Sequence, residues 1–307
     1  MELNRRQIIS YRMLYAVLYL VSLIPLRLLY LMSDIACPFV NRYYRRNLVR
    51  KQLAEAFPEK TEEERRSIER RFYRQFCDYF VEFVKQLSFS EKSMRRHMVF
   101  EGFDELASQL NAERPISFVY LGHFGNWEWI ASLTYTAEQF GVACSQVYHP
   151  LSDKVFDRLM TDVRCRYGGE CIPMRKTVRR LIRANMEKRP LVCGMIADQQ
   201  PRWDAIHYFT QFLNHESAVF IGTEELAKKF NSVVYYAKVT KVNRGYYKCQ
   251  FIPMTSNPSE IDNYKLTDQY LQMLEEDIRH TPELWLWTHK RWSRTKEKWL
   301  QRQKKNQ

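Results

Sequence analysis

From residue 115 onward the sequence alternates short β-type runs with helical segments, and this constrains the fold more than any other feature. Ile116–Leu121, Val142–Tyr148, Leu191–Ile196, Val233–Val239 and Tyr246–Ile252 have strand length and texture, with Arg244-Gly245 at the turn between the last two. Helical patterns lie near Asn126–Phe140, Asp153–Tyr167 and Ser217–Phe230, and Thr267–His280 is the last clear helix. The alternation predicts an α/β fold, a mixed central sheet flanked by helices. A chain of 307 residues can bury a sizeable core. Its 45% hydrophobic content and nine glycines exclude a disordered chain and a collagen-like fibre, and a charged fraction of 27% argues against a polytopic membrane protein.

Upstream, Tyr43–Ala56 and Thr61–Leu87 read as amphipathic helices. Thr61 with Glu64 three residues on forms a capping box. Phe72, Phe76, Phe80 and Phe83 recur at helical spacing. That stripe faces the core on the simpler reading and forms an acyl groove on the competing one. With no internal repeat and no low-complexity linker, the economical division is an N-terminal membrane-associated helix (1–35), a helical region (36–98) and an α/β catalytic-type domain (99–307).

The N-terminus carries the membrane question. Met13 to Leu26 is a 14-residue uncharged run, whereas a spanning helix wants about 20 apolar residues. No small-residue cleavage site follows to mark a secretory signal, and a buried core helix is a rival reading. Arg5, Arg6 and Arg12 precede the run, and Arg42, Arg45, Arg46, Arg50 and Lys51 follow it. Cations on both flanks and tyrosines at 11, 15, 19 and 30 fit a helix lying in an anionic leaflet better than an asymmetric span.

Lys plus Arg number 48 against 35 Asp plus Glu, a formal charge of +13 that calls for an anionic partner. Eight of those cations, against one acid, fall in His289–Lys305, a stretch suited to anionic lipid or an acidic carrier protein. Nucleic acid is not expected, because no RNP, helix-turn-helix or zinc-finger signature is present. Seven scattered cysteines with no CxxC point to a reduced compartment and to no metal site.

The stretch that carries chemistry is Leu121-Gly122-His123-Phe124-Gly125-Asn126-Trp127-Glu128-Trp129. The spacing of His123 and Glu128 is weak evidence by itself; its setting is not. The pair follows an apolar strand, in the place where open α/β sheets collect ligands, with two glycines that let the backbone turn and approach a ligand. A helix starting near Gly125 would put Glu128 in its first turn, within reach of His123. A carboxylate on one imidazole nitrogen fixes the tautomer and raises basicity at the other, so the dyad can take a proton from a hydroxyl. The competing reading is a core or capping histidine beside a helix that begins with an acid.

Gly122–Glu128 resembles the HxxxxD/E motif of the late acyltransferases of lipid A biosynthesis, the lauroyl/myristoyl acyltransferase type. These membrane-bound enzymes transfer a fatty acyl chain from acyl carrier protein to a lipid A precursor. The likeness extends, in order, to Arg164 and Arg166, to Ala197-Asp198-Gln199 after a strand, to Gly222 with the helix Thr223–Phe230, and to Pro282–Trp292, similar to the family's PExxxWxHxRxK-type signature. Two departures, Ser293 where a basic residue is usual and the unmatched Trp203–Phe212, bear on substrate choice.

The resemblance implies a glycerol-3-phosphate-acyltransferase-like fold and no cofactor. It implies His123 as general base with Glu128 as its orienting acid, the roles shifting in some members toward the acid and a later arginine. Asn126, Arg164, Arg166 and Asp198 are the candidates for substrate or oxyanion contact. Solvated arginines, and an aspartate that holds a loop, are the plainer readings. Acyl carrier protein as donor, a lipid A precursor as acceptor and the cytoplasmic face of the inner membrane complete the expectation. Two alternatives remain: a same-fold acyltransferase acting on a lysophospholipid or aminoacyl lipid, and a non-catalytic basic membrane- or nucleic-acid-binding protein.

Overall fold

A computed structural model describes residues 3–305. Seven strands form one mixed sheet: β1 (Met98–Glu101), β2 (Ile116–Leu121), β3 (Ala143–Tyr148), β4 (Glu170–Pro173), β5 (Leu191–Ile196), β8 (Val233–Asn243) and β9 (Tyr246–Thr255), in the order β1-β9-β8-β2-β5-β3-β4. Only β8 and β9 pair antiparallel, joined at Arg244-Gly245; all other neighbours are parallel. A separate hairpin pairs β6 (Phe209–Phe212) with β7 (His215–Ala218). The five expected strands are present, β2 and β5 at the residues anticipated, because both are continuous apolar runs suited to central parallel strands. Their register, Ile116↔Leu191 through Leu121↔Ile196, releases the loops at residues 122 and 197 side by side.

Five helices precede the sheet: α1 (Arg5–Leu23), α2 (Leu26–Tyr43), α3 (Arg46–Ala56), α4 (Glu62–Lys85) and α5 (Glu91–His97). Residue 35 thus lies inside α2, and the sheet begins at Met98. The capping box at Thr61 and Glu64 opens α4 as expected. Phe72 and Phe76 join the core, but Phe80 is 51% exposed, so the phenylalanine stripe faces inward only in part.

The expectation of one N-terminal hydrophobic helix is corrected. α1 and α2 meet at a 108° bend, and among the described residues no single helix is long and apolar enough to cross a membrane. Pro25, which has no N–H to donate, stands at the break. The Lys85 ammonium donates to the carbonyls of Ser22 (2.7 Å) and Ile24 (3.0 Å), satisfying oxygens that a continuous helix would have used. Leu29, Tyr30 and Ser33 pack inward from α2, with Ser33 donating to Asp78 and Tyr30 to Glu82 of α4. Met13, Val17, Leu20, Leu28, Leu31, Ile35 and Phe39 point outward.

Helices α6 (Phe103–Ser108), α7 (Thr134–Ala137), α8 (Lys154–Cys165), α9 (Thr177–Met186), α10 (Gly222–Phe230), α11 (Lys265–His280) and α12 (Lys296–Lys305) complete the chain. Two expected helices differ. Asn126–Phe140 is a broken series, with α7 between 3-10 turns at Trp129–Leu133 and Glu138–Phe140. Its first turns are held by side chains rather than an α ladder: the Trp129 N–H donates to the Asn126 amide oxygen and the Ser132 hydroxyl to the Trp129 carbonyl. At Ser217–Phe230 the first residues belong to β7, and the helix begins at Gly222.

Candidate active site

The site forms where β2 and β5 end side by side. The loop after β2 is stitched to the C-terminal segment. The Gly125 N–H donates to the Leu284 carbonyl (2.9 Å), the Leu286 N–H donates to the His123 carbonyl (3.1 Å), and Phe124 bridges Trp285. The two glycines serve packing. Gly125 has φ +64°, and a Cβ there would meet Val239 at 2.8 Å; one at Gly122 would meet Leu274 at 2.7 Å. The backbone can therefore press against β8 and α11, a role different from the ligand approach expected of them.

His123 is oriented by Asp198, from the loop after β5, and not by Glu128. Its Nδ1 lies 2.7 Å from Asp198 Oδ1, and its backbone N–H donates to Oδ2 at 3.0 Å. The Trp285 indole N–H also donates to Oδ2 at 2.8 Å. Burial opposes ionisation of Asp198, but the nearby His123 and these donors outweigh it and hold its carboxyl below its ordinary value. An ionised Asp198 makes Nδ1 the protonated nitrogen, leaving Nε2 as a base. The imidazole is 22% exposed, edge-on to Trp127 with ring centroids 5.2 Å apart.

Glu128 instead accepts a two-pronged bond from Arg164 of α8, at 2.6 and 2.7 Å. Tyr79 and the Trp127 indole donate to the same carboxylate at 3.2 Å each. Burial would raise its pKa, but the Arg164 charge and hydrogen bonds prevail and keep it low. Four donors thus converge on this buried carboxylate. Tyr79 stacks on Trp127 at 4.4 Å, so the pair also fixes the aromatic wall next to His123.

The other two candidates point elsewhere. Asn126 is buried, its amide donating to Glu82 (2.7 Å) while its oxygen caps Trp129. Arg166 donates to the carbonyls of Gln86 and Phe89 beyond the end of α4, tying that end to α8. Neither reaches the imidazole: one is consumed by the turn it builds, the other by carbonyls a helix end leaves open. Among the described residues, no cluster of three His, Cys, Asp or Glu side chains is placed to hold a metal ion.

The family model for the bacterial lipid A biosynthesis acyltransferases matches residues 3–294. The chain belongs to that family. No curated protein was found to match it. The protein is therefore an acyltransferase, and the family implies a lipid A-type acceptor.

Three further residues lie around this acyltransferase's His123–Asp198 pair and were not singled out by spacing. Gln199 approaches His123 Nε2 at 3.3 Å. His289 and Arg291 come from the C-terminal segment. Burial, with His123 beside it, lowers the His289 pKa to about 4, so it is neutral. The Arg291 guanidinium is fully buried, 5.5 Å over the Phe212 ring, and among the described residues none of its nitrogens has a hydrogen-bond partner. Burial pushes it down to about 10 against the pull of Asp198, so it remains a cation and balances that carboxylate. The available signal was the PELWLWTHKRW run itself, a dense set of Trp, His and Arg on a segment with no helix or strand pattern.

Proposed function

We propose that this acyltransferase moves a fatty acyl chain from an acyl carrier protein thioester to a hydroxyl of a lipid A precursor, at the cytoplasmic face of the inner membrane. The observation that carries the reaction is the partly open His123 imidazole, held at Nδ1 by a buried carboxylate, with Nε2 on the opposite edge approached only by the Gln199 amide among the described residues. The acceptor hydroxyl oxygen attacks the thioester carbonyl carbon while its proton passes to Nε2. The oxyanion collapses, the C–S bond breaks, and the imidazolium returns the proton to the departing thiolate. Asp198 fixes the tautomer and stabilises the imidazolium. Glu128 is close enough for His123 to be felt at its carboxylate; held by Arg164, it adds a second favourable charge and keeps the Trp127 wall in place.

The membrane part of the proposal rests on the outward apolar residues of α1 and α2 beside Arg5, Arg6, Arg12, Arg27 and Arg42. A bent pair with this pattern suits the surface of an anionic leaflet. The basic α12 supports an acidic carrier protein as donor.

The test is acyl transfer by the purified protein in anionic vesicles, crossing carrier-protein and coenzyme A thioesters with a lipid A precursor and a lysophospholipid. Turnover is expected with the carrier protein and the lipid A precursor. It should fall by roughly 10²–10⁴-fold in His123→Ala, and Asp198→Asn should follow it. Turnover confined to lysophospholipid would overturn the acceptor, and turnover confined to coenzyme A the donor. Unchanged turnover in His123→Ala would remove the base.

A further inference from the structure

The proposed oxyanion needs hydrogen-bond donors, and several of the groups the site offers are already committed. The Gly125 N–H is on the Leu284 carbonyl, the Trp129 N–H on Asn126, Arg164 on Glu128, and Arg166 on the Gln86 and Phe89 carbonyls. Gln199 is different. It follows Asp198 directly, so the residue that fixes one edge of the imidazole also delivers Gln199 to the other. Its amide nitrogen stands 3.3 Å from His123 Nε2. Since Nδ1 carries the ring proton, Nε2 offers only a lone pair, and the amide must present its NH₂ group there; its oxygen would set two lone pairs against each other. The side chain is half-buried, and among the described residues its amide makes no other hydrogen bond. The next residue contrasts with it: Gln200 is tied to the Lys290 carbonyl, Ser293 and the Arg294 N–H.

We propose that Gln199 is a catalytic residue whose amide N–H caps the His123 lone pair in the free enzyme and donates to the thioester oxyanion during acyl transfer. The proposal rests on His123 being the general base. An acceptor hydroxyl bound to Nε2 must take the place the amide occupies at rest. That hydroxyl then lies within attack distance of the carbonyl carbon, about 3–3.5 Å. The carbonyl oxygen is consequently one side-chain rotation from the displaced amide. The step balances: the O–C bond forms, the hydroxyl proton goes to Nε2, the negative charge on the carbonyl oxygen is met by the Gln199 N–H, and the C–S bond then breaks with the proton going to sulfur.

The test compares Gln199→Ala and Gln199→Met with the wild type and His123→Ala in the same vesicle assay. Loss of an oxyanion donor should lower kcat by about 10²–10³-fold in both Gln199 variants, with little change in KM. Gln199→Met fills the same space without an N–H, so a fall in kcat at unchanged KM in that variant is a result that a space-filling role would not produce. Full kcat in Gln199→Met, or faster turnover in either variant, would overturn the proposal. His123→Ala separates the two readings. Full activity there removes the base itself, whereas an inactive His123→Ala beside a fully active Gln199→Met removes only the role of Gln199.

Discussion

Glu128 and Arg164 form the most buried ion pair at the site, and their energetics are asymmetric. Removing one partner strands the other charge away from water, whereas replacing both with neutral groups can be nearly harmless. Arg164→Met should therefore destabilise by about 3–5 kcal/mol, and Glu128→Gln with Arg164→Met should recover a large part of that loss. Urea unfolding of the single and double variants measures the coupling; equal stability of the two would mean the pair is already solvated. At this scale the sequence located both ends of the HxxxxE motif but not their partners. His123 meets an acid 75 residues away, because β2 and β5 are neighbours in parallel register. That adjacency is a property of strand order, which no local pattern encodes. Asp198 was visible as a candidate only through the Ala197-Asp198-Gln199 turn after a strand; in the structure its carboxylate meets both the backbone N–H and Nδ1 of His123.

Glu82 joins three elements: it accepts from Tyr30 of α2 (2.7 Å), from Tyr247 of β9, and from Asn126 of the histidine loop. Complete burial pushes its pKa from 4.5 up to about 7. The folded state thus binds a proton that the unfolded chain has already released, so stability contributed by the protonated form is lost as pH rises from about 4.5 to 7. The loss attributable to this group is about 3 kcal/mol. Glu82→Gln should flatten that portion of the Tm–pH profile, between about pH 4.5 and 7; an unchanged slope would place the titration elsewhere. Elements were legible where period and caps agree, as in α4 with its capping box or the unbroken apolar β2. The β6–β7 hairpin was not. Its two-residue turn, Leu213-Asn214, has φ +51° and +64°, the left-handed pair that Asn-Gly usually announces. Without glycine the turn left no signature, and Ser217 and Ala218 read as the start of a helix.

On the scale of the whole molecule, the bend between α1 and α2 lays Val17, Leu20, Leu28, Leu31, Ile35 and Phe39 open to the surroundings. The length of the apolar run argued against a span from sequence alone, but the bend depends on Lys85 from another helix and could not be read locally. Leu20→Glu with Leu31→Glu should weaken binding to anionic vesicles by about 100-fold or more, at roughly 1.5 kcal/mol or more for each leucine withdrawn from lipid. Sedimentation at fixed salt reads this directly, and undiminished binding would mean that another face meets the bilayer. The stitching of the histidine loop to Leu284–Leu286 has a consequence of timing. Tyr43 leaves the ribosome 242 residues before Trp285, an interval of roughly 10–50 s at ordinary rates of synthesis. The proposed docking helices are thus complete long before Asp198 can receive the Trp285 N–H or Gly125 can close onto Leu284. On the proposed membrane reading, the helices that would meet the surface exist well before the histidine loop can be closed.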